Sequence, residues 1–355
     1  MDLRVIDLHG TPRDMGRQHG ERLSDQARAM AQTRLDLCLK AAREINPALD
    51  MDWCLALADR CMPFLRRYAF EVYEECQGVA EGAGLTMPQM VIGNGYTDYI
   101  DVLMLSLEEG AGCTSFIATG EATADGLSYV GQTWDMHAFA EPHMRLFRRR
   151  PDDGPAWLTL TTAGCLSLIG LSEAGIAIGN TNVVPTDARP GVIYLAMIHQ
   201  ALRSPDFESA CAAITAAPRA SGHYYYLAGP EGTALGIETT ATRHAHLAIA
   251  NGLLVHANHY HDAGLAGMAR EPASENSQAR ELALRSHLLP RLGEITLEDL
   301  MAGLRLRESE HPLCRPSAEP EEVTTCAAAI MCPERRAMWV ALGNPRTTDF
   351  EEVSL

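Results

Sequence analysis

The chain is short of positive charge. It carries 29 Lys and Arg against 46 Asp and Glu, a formal net charge of −17, which repels phosphate backbones and anionic lipid surfaces. Nucleic acid and membranes are set aside as partners on that ground. No stretch approaches the ~18 consecutive apolar residues of a membrane span, and MDLRVIDLHG has charges where a secretory leader would have its apolar core. There is no CxxC pair among the ten cysteines, no HExxH, no internal repeat and no low-complexity tract. These absences predict a soluble, cytoplasmic protein whose thiols are mostly reduced and serve, by default, as small core hydrophobes.

What is present suffices for a sizeable core, since 46% of the residues are hydrophobic. Nothing reads as a linker, so residues 1–355 are expected to form one domain. A short strand, LRVIDL, is followed by Thr11-Pro12 with Asp14, a helix start, and apolar residues then recur every three to four positions up to Asn46-Pro47. A second helical stretch runs from about Trp53 to Ala80 and stops in EGAGLT, and Thr86 caps a third through MPQMVIGN. From Cys113 the texture changes to short apolar strands around turn dipeptides. CTSFIA and LSYVGQTW flank Asp125-Gly126; YYYLA and ALGIET flank Pro230-Glu231-Gly232; HLAIA and LLVHA flank Asn251-Gly252; AAAIM and AMWVA flank Pro333-Glu334. Helical patterns interrupt them at 192–202, at 206–216, in SENSQARELALRSHLL, and after the Thr296/Asp299 capping pair. Hairpins alternating with paired helices predict an α+β protein of stacked antiparallel sheets with helices on both outer faces.

The helical third meets the hairpin region at LEEGAGCTSFIATG. A cysteine that opens a strand directly after Ala111-Gly112 has its preceding peptide bond in a loop able to distort, where its own thiol can attack. A free α-amine, with a reference pKa of about 7.7 to 8.0, suits the role of general base for such a thiol.

Taken in order, GCTSF, GQTWD, LSEAGIAIGNTN, HANHY, LCR and ALGNP, with the opening VIDLHGTPRDMGRQHGERL, resemble the acyl-coenzyme A:6-aminopenicillanate acyltransferase family. That family groups with the self-processing cysteine N-terminal-nucleophile hydrolases, more distantly with choloylglycine and penicillin V hydrolases. The resemblance spans nearly the whole chain. It implies an αββα sandwich that cuts itself at Gly112-Cys113 into chains 1–112 and 113–355, which stay associated. Cys113 is then the nucleophile. Asp135 would hold its freed α-amine, Asn258 would donate its side-chain amide to the oxyanion, Asn182 would supply a second donor through its backbone, and Arg315 would pair with the aspartate. Gln132 stands where choloylglycine-type enzymes have an arginine, as in the acyltransferase branch. Cys314 stands where the acyltransferase has a serine, so the same acyl-donor chemistry is not implied. Arg280, in SENSQAR, is a candidate further site residue, with a helix-surface role preferred.

The activity implied is cleavage of a linear amide in a small N-acylated amine or amino acid through a Cys113 thioester, with no cofactor. Transfer of the acyl group to an amine is the alternative, although Arg148-Arg149-Arg150 is a short patch for coenzyme A phosphates. Two further readings remain open: an uncleaved relative that only binds a small ligand, and a papain-like arrangement of Cys113, His256 and Asn258. A homo-oligomer is left open as well. His256, His259, His261 and Asp262 in HANHYHD invite a zinc reading, but alternation along a strand would put His256 on the opposite face from His259 and His261. No metal site is expected.

Overall fold

The computed structural model describes residues 5–103, 112–307, 310–316 and 319–355. The helical third comprises β1 (Val5–Gly10) and helices α1 (Pro12–Arg22), α2 (Ser24–Ile45), α3 (Met51–Asp59), α4 (Met62–Tyr68), α5 (Phe70–Ala83), α6 (Met87–Asn94) and α7 (Tyr96–Val102). The predicted starts are there: Thr11 Oγ1 accepts from the Asp14 amide, and Thr86 with Gln89 forms a capping box. The two long predicted helices are subdivided. The first breaks at Leu23, and the second becomes three, because Ala69 is extended and Pro63 sits in the first turn of α4, where its missing N–H does no harm. Gly84 ends α5 at φ 71°.

After Cys113 come β2 (Thr114–Ala118), β3 (Tyr129–His137), β4 (Met144–Pro151), β5 (Trp157–Thr162), β6 (Ile169–Ser172), β7 (Ala177–Asn182), α8 (Tyr194–Leu202), α9 (Phe207–Thr215), β8 (His223–Ala228), β9 (Ala234–Thr239), β10 (His244–Leu247) and β11 (Leu253–His256). The chain continues with α10 (Ala263–Ala266), α11 (Glu275–Leu288), α12 (Leu297–Gly303), β12 (Val323–Cys332), β13 (Ala337–Leu342) and β14 (Glu351–Ser354). Eight strands form one sheet in the order β1-β4-β5-β6-β7-β8-β9-β10, and six form the other in the order β11-β2-β3-β12-β13-β14. Pairing is antiparallel except between β1 and β4.

Three of the four predicted hairpins form: β2–β3, β8–β9 and β12–β13. The fourth does not. Asn251 and Gly252 take positive φ and turn the chain, but β10 pairs with β9 and β11 pairs with β2. The turn therefore carries the chain from one sheet to the other, since β2 offers β11 a fully buried edge that the half-exposed β10 lacks.

The layering is written in side-chain alternation. Along β12 and β13, Ala327, Ala329, Met331, Met338 and Val340 enter the large core shared with the eight-stranded sheet. Their neighbours Ala328, Ile330, Cys332, Trp339 and Ala341 enter a second core with Leu284, Leu288 and Leu300 of α11 and α12. A strand buried on both faces must lie between two layers. On the other side α1 and α5 cross at glycines: a Cβ on Gly16 would lie 2.1 Å from the Glu75 carbonyl oxygen, and one on Gly78 2.2 Å from that of Arg13. The result is a two-sheet sandwich with helices on both outer faces. All ten cysteines are free, and among the described residues no helix is long and apolar enough to cross a membrane.

Candidate active site

Cys113 stands immediately before β2, whose neighbours β11 and β3 hold it on both sides. The cysteine is 7% exposed and lines a cleft together with Gly112, Asp135, Asn182 and Asn258. Asp135 comes from the end of β3, opposite a bulge in β12 between Thr325 and Ala327. Such bulges re-aim side chains beside sites, and here Thr325 Oγ1 donates to Asp135 Oδ1 at 2.7 Å while Arg315 Nε donates to Asp135 Oδ2 at 3.2 Å. Asn182 ends β7 in one sheet, and Asn258 follows β11 in the other. The Asn258 Nδ2 group donates to the Asn182 carbonyl oxygen at 2.8 Å, bridging the sheets. One amide hydrogen of Asn258 is thereby used and the second is left for a ligand.

Cys113, Asp135, Asn182 and Asn258 thus line one cleft, with Arg315 bonded to Asp135, while His256, the base of the papain-like reading, is not in the lining and is bonded to Glu238 instead. For Arg280 the preferred helix-surface reading is wrong and the alternative, a residue at the site, fits: it is 1% exposed. Its Nη1 donates to the Cys113 carbonyl oxygen and to Thr114 Oγ1, both at 2.8 Å; its Nη2 donates to Asn258 Oδ1 at 2.8 Å and its Nε to Asn276 Oδ1 at 2.9 Å. Asn276 Oδ1 also accepts from Arg315 Nη2 at 2.9 Å, so one amide oxygen links the two guanidiniums. A signal was available in the sequence: Ser277, Arg280, Leu284 and Leu288 form the buried stripe of α11 at helical spacing. Gly112 has a local reason too. A Cβ there would fall 2.2 Å from Asn258 Oδ1 and 2.7 Å from Arg280 Nη2, so any other residue before this cysteine would have to displace that hydrogen-bonded pair. Ala111 lies outside the described residues.

Burial pushes the Cys113 thiol up to about 12, and the Asp135 charge adds to that, against the Asp135 amide, Arg280 and Arg315. Burial likewise raises the Asp135 carboxyl to about 6, with Arg315, Arg280 and Thr325 opposing it. For Arg280 burial lowers the value to about 10, with Asp135 working the other way. With the peptide bond to Gly112 intact, the thiol is therefore protonated at neutral pH and needs a base.

The rest of the lining, which sequence reasoning did not single out, includes Thr97, Trp134, Asn180, Tyr194 and His223. The His223 ring stacks on Tyr194 with centroids 4.5 Å apart. Asn180 Nδ2 lies 3.0 Å from His223 Nδ1, and His223 Nε2 lies 2.7 Å from Asp98 Oδ1. Among the described residues, nothing hydrogen-bonds the buried Thr97 Oγ1, Asn180 Oδ1 and Asn182 Oδ1. Three such oxygens around one cleft favour a ligand that brings N–H or O–H donors. The basic run Arg148-Arg149-Arg150 lies elsewhere and is occupied: Arg149 is wholly buried against Glu75 at 2.7 Å, and Arg148 reaches Asp7 and the Ser354 carbonyl.

The model of the acyl-coenzyme A:6-aminopenicillanic acid acyl-transferase family matches residues 122–347. That span contains Asp135, Asn182, Asn258, Arg280 and Arg315 and begins after Cys113. An acyl-coenzyme A:6-aminopenicillanic-acid-acyltransferase 40 kDa form of Emericella nidulans is 22% identical over 256 residues, 72% of this chain and 68% of that protein. An uncharacterized protein of Archaeoglobus fulgidus is 26% identical over 217 residues, 53% of this chain but only 34% of its own length. Among solved structures, a variant conjugated bile acid hydrolase of Clostridium perfringens has a TM-score of 0.47 at 13% identity, covering 68% of this chain and 92% of that one.

Proposed function

This chain belongs to the acyl-coenzyme A:6-aminopenicillanic acid acyl-transferase family, and on that premise we propose that it is a self-processing cysteine amidohydrolase of small N-acylated amines or amino acids. The observation that supports this reading is that Cys113, Asp135 and Asn258 line the same cleft.

In the precursor, Cys113 Sγ attacks the Gly112 carbonyl carbon, the Cys113 nitrogen leaves with a proton, and water cleaves the resulting thioester to free the Gly112 carboxylate and the thiol. The new α-amine beside Asp135 takes the thiol proton when substrate arrives. Thiolate attack on the substrate amide places negative charge on its oxygen, which the free Asn258 N–H and the Asn182 backbone N–H stabilise; a donor of this kind contributes about 3 to 4 kcal/mol. The leaving amine departs protonated, and water returns the enzyme by hydrolysing the thioester. Cleft oxygens of Thr97, Asn180 and Asn182 suit the donors of an amide substrate, and the occupied arginine run disfavours a coenzyme A donor.

A test reads processing and chemistry together. Intact mass should give two chains meeting at Gly112-Cys113, and Cys113→Ala one chain. Brief mixing with N-acyl amines followed by acid quench should load one acyl group on the chain beginning at Cys113. If added amine diverts product into a new amide, the protein is an acyltransferase; if no substrate leaves an adduct and the chain stays whole, it is a binding protein and the proposal fails.

A further inference from the structure

The HANHYHD segment acquires a second meaning in three dimensions. Strand β11 ends at His256, so the alternation that would part His256 from His261 does not extend over residues 257–262. The His256 and His261 rings come within 4.5 Å of each other, centroid to centroid. One ligand atom from each of Glu238, His256 and His261 lies within 4.8 Å of the others, and the same holds for His259, His261 and Glu281.

The hydrogen bonds around His256 show what the cluster lacks. Thr181 Oγ1 donates to the Ala257 carbonyl oxygen, so His256 Nδ1, 2.9 Å from that same carbonyl, must carry a proton to donate to it. In the neutral ring this leaves a lone pair on Nε2. That lone pair faces Glu238 Oε1 at 2.9 Å, an oxygen already accepting from the His261 amide, while Oε2 accepts from the Asp262 amide. Two acceptors in contact, both fully buried, require a positive charge between them. On the other side His261 Nε2 lies 2.8 Å from Glu281 Oε2, an outer carboxylate contact of the kind that orients a ligating imidazole, and His259 Nε2 lies 3.5 Å from the same oxygen.

We propose that Glu238, His256 and His261 bind a divalent transition ion of the zinc class. Two neutral imidazoles and one carboxylate are a three-ligand nitrogen and oxygen set that suits zinc and leaves a fourth position open. The ion would join β9 of one sheet to β11 of the other, directly under the segment that carries Asn258. It has a positioning role and takes no part in the reaction proposed above.

The experiment uses the full chain, freed of any affinity tag, dialysed against chelator and titrated with zinc chloride by calorimetry, with metal content read by mass spectrometry. Wild type should bind one ion per chain and gain about 3 °C in unfolding midpoint at a hundredfold excess over Kd; magnesium and calcium should do neither. Glu238→Gln, which keeps shape and hydrogen bonding, should weaken binding at least tenfold. Cys113→Ala and His244→Ala/His246→Ala, which remove the thiol and the surface pair on β10, should bind as wild type does. X-ray absorption at the zinc edge should show imidazole nitrogen and oxygen with no sulfur. Absence of stoichiometric binding would mean that a shared proton supplies the charge. That result, binding unaffected by Glu238→Gln, or sulfur in the shell would each overturn the proposal.

Discussion

The side-chain amide of Asn258 donates to the carbonyl oxygen of Asn182 across the gap between the two sheets, at 2.8 Å. Because Asn258 Oδ1 is held in turn by Arg280 at 2.8 Å, the orientation of the amide is set and its remaining N–H is directed by the protein rather than by a ligand. Asn258→Ala should therefore lower kcat by roughly 10²- to 10³-fold with little change in KM. Steady-state kinetics on a processed, folded variant checks this, and a loss below tenfold would reduce Asn258 to a loop residue.

Arg280 makes four side-chain hydrogen bonds, two of them to Cys113 and Thr114. A lysine keeps the charge but not the planar fork. Arg280→Lys should slow the appearance of the two chains at least tenfold, and the buried partners left unpaired should cost about 2 to 3 kcal/mol of stability. A time course of intact mass and a urea titration measure both; maturation at the wild-type rate would contradict the assignment.

The raised carboxyl of Asp135 predicts an acid limb. Its value of about 6 in the fold exceeds the ordinary 3.8. Across that window the folded state holds a proton that the unfolded chain has lost, so this group's contribution to stability falls as pH rises from 3.8 to about 6. Activity runs the other way, since the carboxylate is the working form: kcat/KM of the processed enzyme should fall on the acid side, with the new α-ammonium beside Asp135 holding that limb below the value of the intact chain. Arg315 lowers this carboxyl, so Arg315→Gln should move the limb to higher pH. A limb unmoved in that variant would separate the pH dependence from Asp135.

Gly16→Ala tests the helix crossing under the eight-stranded sheet. The added methyl would meet the Glu75 backbone at 2.1 Å, and backbone cannot rotate away as a side chain can. The substitution should cost about 1 to 3 kcal/mol by overpacking, despite alanine's better helix propensity. Thermal unfolding would show it, and an unchanged midpoint would mean that α1 and α5 sit further apart.

Local chemistry in the sequence was enough for the helix caps at Thr11, Thr86 and Thr296, for three hairpins, and for the change of texture at Cys113. These depend on residues a few positions apart, whose hydrogen bonds and turn geometries are settled by their neighbours. The site residues Cys113, Asp135, Asn182, Asn258 and Arg315 were legible only through motifs in a fixed order. Their convergence was not, because it depends on which strands share a sheet and how the two sheets face each other. Arg280 was not preferred for the site because a guanidinium on a helix is ordinarily solvated; the Cys113 carbonyl, the Thr114 hydroxyl and the amides of Asn258 and Asn276, brought together by the fold, offset its burial. The same holds for Glu238, distant from HANHYHD in sequence, and for the turn at Asn251-Gly252. That turn has the local geometry of a hairpin, yet β11 pairs with β2 because a long-range buried edge outweighs a neighbouring exposed one.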